Sequence, residues 1–265
     1  MPHPALSKGE DSTMCLNIFS YKNHPDYKLI IAANRDEFYA RKTEAAHFWN
    51  DKPNLLAGKD LEQGGTWLGI TKTGKFSFIT NYRDPKSFRK DAPSRGALVS
   101  NYLNGSHDPE AYLKNLGHAK HFNGFNLVVG DLNEVFYYSN VENKITKLKT
   151  GFYAVSNAFL DTPWKKLVTG KNAVQSLISQ QNFSAEDLFS ALHNEQKADD
   201  SELPSTGVPY EIEKLVSSMF IKSETYGTVC STVVLIDNQN HVQFFERTHN
   251  PLKENKTVSF EFVIG

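Results

Sequence analysis

The sequence predicts an α+β fold built on antiparallel sheets, and three observations carry that prediction. Strand-like segments come in adjacent pairs joined by turns too short for a parallel crossover, as in "CLNIFSY", "KNHPD", "YKLIIAA". Blocks of strands alternate with blocks of helices instead of strand and helix alternating one by one. No repeat, low-complexity stretch or composition break divides the 265 residues, so a single core is expected over 14–265.

The elements follow in order. Residues 15–21 and 27–33 are apolar runs around turn formers and read as a hairpin. "TWLGIT" (66–71), the turn "KTG" and "KFSFITN" (75–81) repeat the pattern, with Phe76 and Phe78 alternating with polar neighbours. A helical block follows over 96–103 and after "HDPEAYLKNL", where Asp108 caps and Pro109 fills the first turn. Strands return at 125–131, 135–139, 144–148 and 152–156. "DTPWKKLVTGKNAVQSLISQ" is a long helix with Thr162 as expected cap and Pro163 behind it, and Ser184 with Asp187 forms a capping-box pattern. A short helix is expected around Glu211 to Phe220, with 197–209 a surface loop. Three strands close the chain at "CSTVVLID", "HVQFFER" and 258–264.

Composition excludes several function classes. Twenty-nine basic against thirty acidic residues leave a formal charge of -1, so no global field favours nucleic acid or an anionic membrane. The longest apolar runs fall far short of the roughly 20 residues of a membrane-spanning helix, and no membrane span is expected. Residues 1–13, "MPHPALSKGEDST", lack the apolar centre of a secretion signal and read as a disordered extension: an upstream start, a tag or a propeptide. The two cysteines, Cys15 and Cys230, form no disulfide framework and no metal spacing, which points to a reducing, cytoplasmic setting. His118 and His121 lack partners, so no metal is expected.

Cys15 follows Met14 directly. A cysteine at a true amino terminus carries its own base, because an α-amine of pKa about 7.7–8.0 can take the proton of a thiol of about 8.5. The chemistry requires that Cys15 be exposed as the first residue. Otherwise it reads as a small strand cysteine in the core. "IAANRDEFYAR" gathers Asn34, Arg35, Asp36 and Glu37 at the end of an apolar strand, either as a polar cluster beside the first strand or as a solvated turn. Asn81 and Asn157 each end an apolar strand. Two amide donors so placed suit an oxyanion, although asparagine is also a common turn residue. "EQGGTWLG" supplies a tight glycine turn and Trp67 as a wall or core anchor. No glycine-rich phosphate loop, Gly-x-Ser-x-Gly elbow or His-Glu-x-x-His occurs.

"MCL", "LIIAANRDEFYAR", "GGTWLGIT", "TNYRDP", "SRGALVSNYL", "FNLVVGD", "VSNAFLDTPWKK" and "YGTVCSTVVLID" together resemble the NRDE family, also called the transport and Golgi organisation protein 2 family, from Met14 to the end. The resemblance implies a four-layer αββα sandwich similar to amino-terminal-nucleophile hydrolases of the cysteine amidase type. It casts Cys15 as nucleophile, Arg35 and Asp36 as its supports, and Asn81 and Asn157 as oxyanion donors, with Asn34, Trp67, Tyr82 and Trp164 toward the substrate. Adjacent Arg35 and Asp36 depart from the spaced pair of the amidases, and Val229 stands where relatives are expected to carry arginine. Two functions follow: a cysteine amidohydrolase acting on a small molecule's non-peptide C–N or thioester bond, without cofactor, or a non-enzymatic carrier of haem or another small ligand, walled by Trp49, Trp67 and Trp164. Oligomeric state is not read from the sequence.

Overall fold

In a computed structural model, the protein describes residues 15–117, 119–180 and 182–265. The expected extension over 1–13, Met14 and His118 fall outside the described residues.

Two antiparallel sheets form the centre. The first has the order β10-β1-β2-β11-β12-β13, with β1 Cys15–Tyr21, β2 Tyr27–Phe38, β10 Gly151–Val155, β11 Tyr226–Asp237, β12 His241–Thr248 and β13 Thr257–Val263. The second runs β3-β4-β5-β6-β7-β8-β9, with β3 Thr43–Trp49, β4 Lys52–Asp60, β5 Leu68–Thr71, β6 Phe76–Asn81, β7 Phe125–Gly130, β8 Val135–Ser139 and β9 Lys144–Leu148.

Alternation along each strand makes four layers. In β1, Phe19 and Tyr21 pack between the sheets with Leu56, Phe78 and Val128, while Leu16 and Ile18 face a helical layer. That layer holds α3 Lys165–Ile178 and α4 Ala185–Leu192, whose Leu167, Val174, Leu188 and Leu192 complete the outer core. On the far side, α1 Gly96–Asn104 and α2 Pro109–Lys114 cover Leu55, Ile79, Leu127 and Phe136 of the second sheet. The arrangement is the αββα sandwich. A short α5, Tyr210–Leu215, packs Ile212 and Val216 on Tyr226.

Local signals held where side chains act on their own neighbourhood. Asp108 caps α2 through the Ala111 N–H, and Ser184 with Asp187 makes both bonds of a capping box. Thr162 does not cap α3. Its hydroxyl donates to Phe159 O, Trp164 occupies the cap position and the helix starts at Lys165. The expected helix to Phe220 stops at Leu215. Strands β3 and β4 escaped the sequence reading, because "TEAAHFW" and "KPNLLAGKD" mix charge, proline and glycine with too little alternation. Most consequential is β2, which runs to Phe38 and not Ala33, so Asn34 to Glu37 are strand residues, Asn34 and Arg35 paired with both β1 and β11 and Asp36 and Glu37 paired with β11.

Candidate active site

The site lies where β1 begins and β2 nears its end. Cys15 stands opposite Arg35 in the β1–β2 register, and Cys230 stands opposite Arg35 from the other side. With one strand between them, the two cysteine Cα atoms are about 10 Å apart, beyond the roughly 7 Å limit of a disulfide. A bulge between Thr228 and Cys230 turns both Val229 and Cys230 toward Tyr39 and Trp67. Apolar surface thus occupies the place where an arginine was expected.

Strand alternation divides the "NRDE" cluster. Asn34 and Asp36 face the helical layer, Arg35 and Glu37 the space between the sheets. Asn34 is used in structure: Nδ2 donates to Leu192 O and Met219 O, and Oδ1 accepts from the Ser231 hydroxyl. Asp36, 1% exposed, accepts from the Thr228 hydroxyl at 2.5 Å. Arg35 Cζ stands over the Trp67 ring, 4.0 Å from its centre; the guanidinium pairs with Glu37 at 3.5 Å, and so begins a row continued by Arg41, 2.7 Å from Asp60.

A cavity of about 240 Å³ opens above these groups, and Cys15, Arg35, Asp36, Trp67 and Asn81 all line it. Arg89, Lys90 and Arg95 stand at its rim. Asn157 is set behind Asn81: its Nδ2 donates to Asn81 O at 3.0 Å, and its Oδ1 lies 3.0 Å from Ser156 Oγ. Tyr82 packs on Phe159 beside the site, its N–H on Gly124 O. Trp164 stacks under Arg83 at a separate crevice of about 10 Å³. Trp49 is sealed in the outer core of the second sheet, with Nε1 on Ala57 O. Of the three tryptophans, Trp67 alone lines the Cys15 cavity.

Polar bridges between the sheets hold this end open to a fixed width. The Ser156 hydroxyl donates to Cys15 O at 2.7 Å, and the Thr80 hydroxyl of β6 donates to Ser156 O at 2.5 Å. Asn126 of β7 donates to Thr80 Oγ1, Ser156 O and Ala158 O, while Tyr137 donates to its Oδ1. Such a network is stable only when each member is satisfied. Thr80, Asn126 and Ser156 carried no signal of this role in the sequence, since the bonds from Thr80 and Asn126 to Ser156 O and from Ser156 to Cys15 O join segments distant in the chain.

Electrostatics favour a protonated thiol in the chain as sequenced. Burial, and then the Asp36 charge, push Cys15 up to about 12; the Asp36 backbone N–H and the Arg35 charge oppose the rise. Burial also raises Asp36, and the largest influence opposing the rise is the charge of Lys166 of α3. Lys166 is 4% exposed, reaches Asn157 Oδ1 at 3.4 Å, and was not singled out from the sequence. A signal existed: lysine in the first turn of a helix opposes the helix dipole, so its place there needs another reason. Among the described residues no cluster of histidine, cysteine and carboxylate groups could hold a metal ion.

Residues 14–251 match the family model described as Transport and Golgi organisation 2. The chain belongs to this family. The Transport and Golgi organization 2 homolog of Mus musculus is 38% identical over 261 residues, covering 89% of this chain and 93% of the mouse protein. The Homo sapiens homolog is 34% identical over 275 residues, covering 95% and 99%. Among solved structures, a mutant conjugated bile acid hydrolase from Clostridium perfringens superposes with a TM-score of 0.53 at 9% identity, over 94% of this chain and 92% of that one. This likeness shows that the chain shares the sandwich fold of that structure. No helix among the described residues is long and apolar enough to cross a membrane.

Proposed function

We propose that the protein is a cytoplasmic cysteine hydrolase that cleaves a non-peptide C–N or thioester bond of a small molecule. The observation that carries the reading is the convergence of Cys15, Arg35, Asp36 and Asn81 on one cavity, with Asn157 held behind Asn81. The lining supports hydrolysis over a flat apolar carrier site, because guanidinium and carboxylate groups alternate along it.

The chemistry starts with Cys15 as the amino-terminal residue. Its α-amine takes the thiol proton as sulfur bonds to the substrate carbonyl carbon, and the oxyanion forms beside Asn81, which Asn157 holds in place from behind. Collapse breaks the C–N or C–S bond, and the ammonium returns its proton to the leaving group. Water then attacks the acyl-cysteine, giving the carboxylic acid and restoring the thiol. While Cys15 remains joined to Met14 its nitrogen is an amide and cannot serve.

The test compares the 265-residue chain, a chain beginning at Cys15 and that shorter chain carrying Cys15→Ala. Each is incubated with a panel of N-acyl amides and acyl thioesters, with intact mass and product analysis. An adduct on Cys15 and turnover are expected in the second protein alone. Neither adduct nor product from the chain beginning at Cys15 would overturn the proposal.

A further inference from the structure

Lys166 has no part in the chemistry just described, yet a buried lysine needs a reason. Its side chain enters from the first turn of α3 and reaches Asn157 Oδ1 at 3.4 Å, beside the Ser156 hydroxyl whose proton goes to Cys15 O. An ammonium has hydrogens only to give, so the atom it meets is the amide oxygen and Nδ2 faces β6, where it meets Asn81 O. Arg83, directly after β6, closes the same loop through its N–H on Asn157 O.

The surroundings of the ammonium are set by four elements. Asp36 of β2 and Cys15 of β1 lie toward the sheet, Arg83 follows β6, and Glu213 belongs to α5. Burial and Arg83 pull Lys166 toward its neutral form; Asp36, then Cys15 and Glu213 pull it back. Arg83 is itself engaged by Glu213, both being almost fully buried. Asp36 therefore stands as the principal counter-charge of Lys166, and Lys166 is the largest influence opposing the burial of Asp36. Around Cys15 the remaining charges are Arg35 and Glu37, themselves paired.

Val229 and Cys230 leave the β11 side of the thiol apolar. A positive charge behind the thiol thus comes from α3 and not from β11.

We propose that Lys166 is a positioning residue of the Cys15 site: seated on Asn157 Oδ1, it fixes the Asn157 amide toward Asn81 and holds a compensating positive charge against Asp36 behind the thiol. The inference rests on the hydrolase reading for its purpose, and on the side-chain geometry for its substance.

The test reads the thiol and the amine directly, so it does not depend on finding a substrate. Iodoacetamide alkylation of Cys15 in the full chain is followed from pH 6 to 9.5 by peptide mapping, which separates Cys15 from Cys230. Burial and Arg83 lower Lys166 to about 7, so Lys166→Met should slow Cys15 alkylation at least about tenfold at pH 6, where the ammonium is charged, and by progressively less as pH rises past 7, while Lys166→Arg should stay within about threefold at pH 6. In parallel, the Lys166 side-chain signal of protein labelled with ¹³C at lysine Cε should titrate below those of exposed lysines, and lower still in Asp36→Asn. Parent-like alkylation at pH 6 in a folded Lys166→Met protein would overturn the proposal. If that variant does not fold, a Lys166 signal that titrates with the exposed lysines, unmoved by Asp36→Asn, overturns it equally. Absence of turnover in the earlier experiment would remove the hydrolase reading and leave both of these readouts standing.

Discussion

Glu246 offers a test of how the two sheets tolerate charge between them. It lies on β12 opposite Thr232, is 2% exposed, and points into the space between the sheets. Oε1 accepts from the Ala46 N–H of β3 at 2.8 Å, and Thr232 Oγ1 lies 3.4 Å from Oε2. Burial pushes its pKa from 4.5 up to about 7, against the Ala46 hydrogen bond and the Arg35 charge. A carboxyl whose folded pKa is raised binds its proton more tightly in the folded state. Its contribution is therefore fully present below pH 4.5 and is lost between pH 4.5 and 7. At about 1.36 kcal/mol per pH unit, a shift of about 2.5 units amounts to about 3 kcal/mol at most.

Glu246→Gln keeps the acceptor for Ala46 and offers Thr232 an amide in place of a carboxylate. It should raise the unfolding free energy by about 1–3 kcal/mol at pH 8 and by almost nothing at pH 4.5. Urea melts of parent and variant at the two pH values, with m-values compared, provide the measurement. An equal increment at both pH values, or destabilisation at pH 8, would refute the electrostatic argument.

Other parts of the framework give sharper steric and polar expectations. A Cβ on Gly65 would come within 2.4 Å of the Gly96 carbonyl carbon at the start of α1, so Gly65→Ala should cost about 1–3 kcal/mol in urea melts. Gly64→Ala, placed at φ 74° but in open space, should cost only about 1 kcal/mol, and the reverse order would contradict this account of the turn. Arg83→Met strands the buried Glu213 carboxylate and should cost about 3–5 kcal/mol, of which at least half returns in the Arg83→Met, Glu213→Met double variant; a strictly additive cycle would count against it. Asn126→Asp turns carboxylate oxygens onto Ser156 O and Ala158 O, and a loss below about 1 kcal/mol at neutral pH would show that the inter-sheet network is not rigid.

The sequence made some of this legible and hid the rest for physical reasons. Apolar alternation located β1, β5 to β9 and the closing three strands, because those strands bury one or both faces. It could not carry β2 past Ala33, since the burial of Asn34 and Asp36 depends on Leu192 and Thr228, partners remote in sequence. Family motifs brought Cys15, Arg35, Asp36 and Asn81 together in advance of the structure. They did not show that Arg35 and Asp36, adjacent in sequence, serve opposite faces of one strand. Lys166 was hidden differently. Its helix was expected, but an expected cap at Thr162 placed the first turn too early, and nothing local marks a lysine at a helix start as buried.

This division of faces bears on what the site requires. Arg35 cannot ease ionisation of Cys15 alone, because Glu37 pairs with it and Trp67 covers its face. Asp36, on the other face, opposes a thiolate unless its own charge is balanced. Lys166 is placed to balance it, and the same side chain orients Asn157. A single ammonium therefore answers two demands that the first strand creates by beginning at a cysteine. What it does not supply is a proton acceptor in contact with sulfur. A chain in which Cys15 is preceded by Met14 holds a thiol at about 12 with donors and charges arranged around it, and exposing the Cys15 amine is the one change that adds a base without moving any of them.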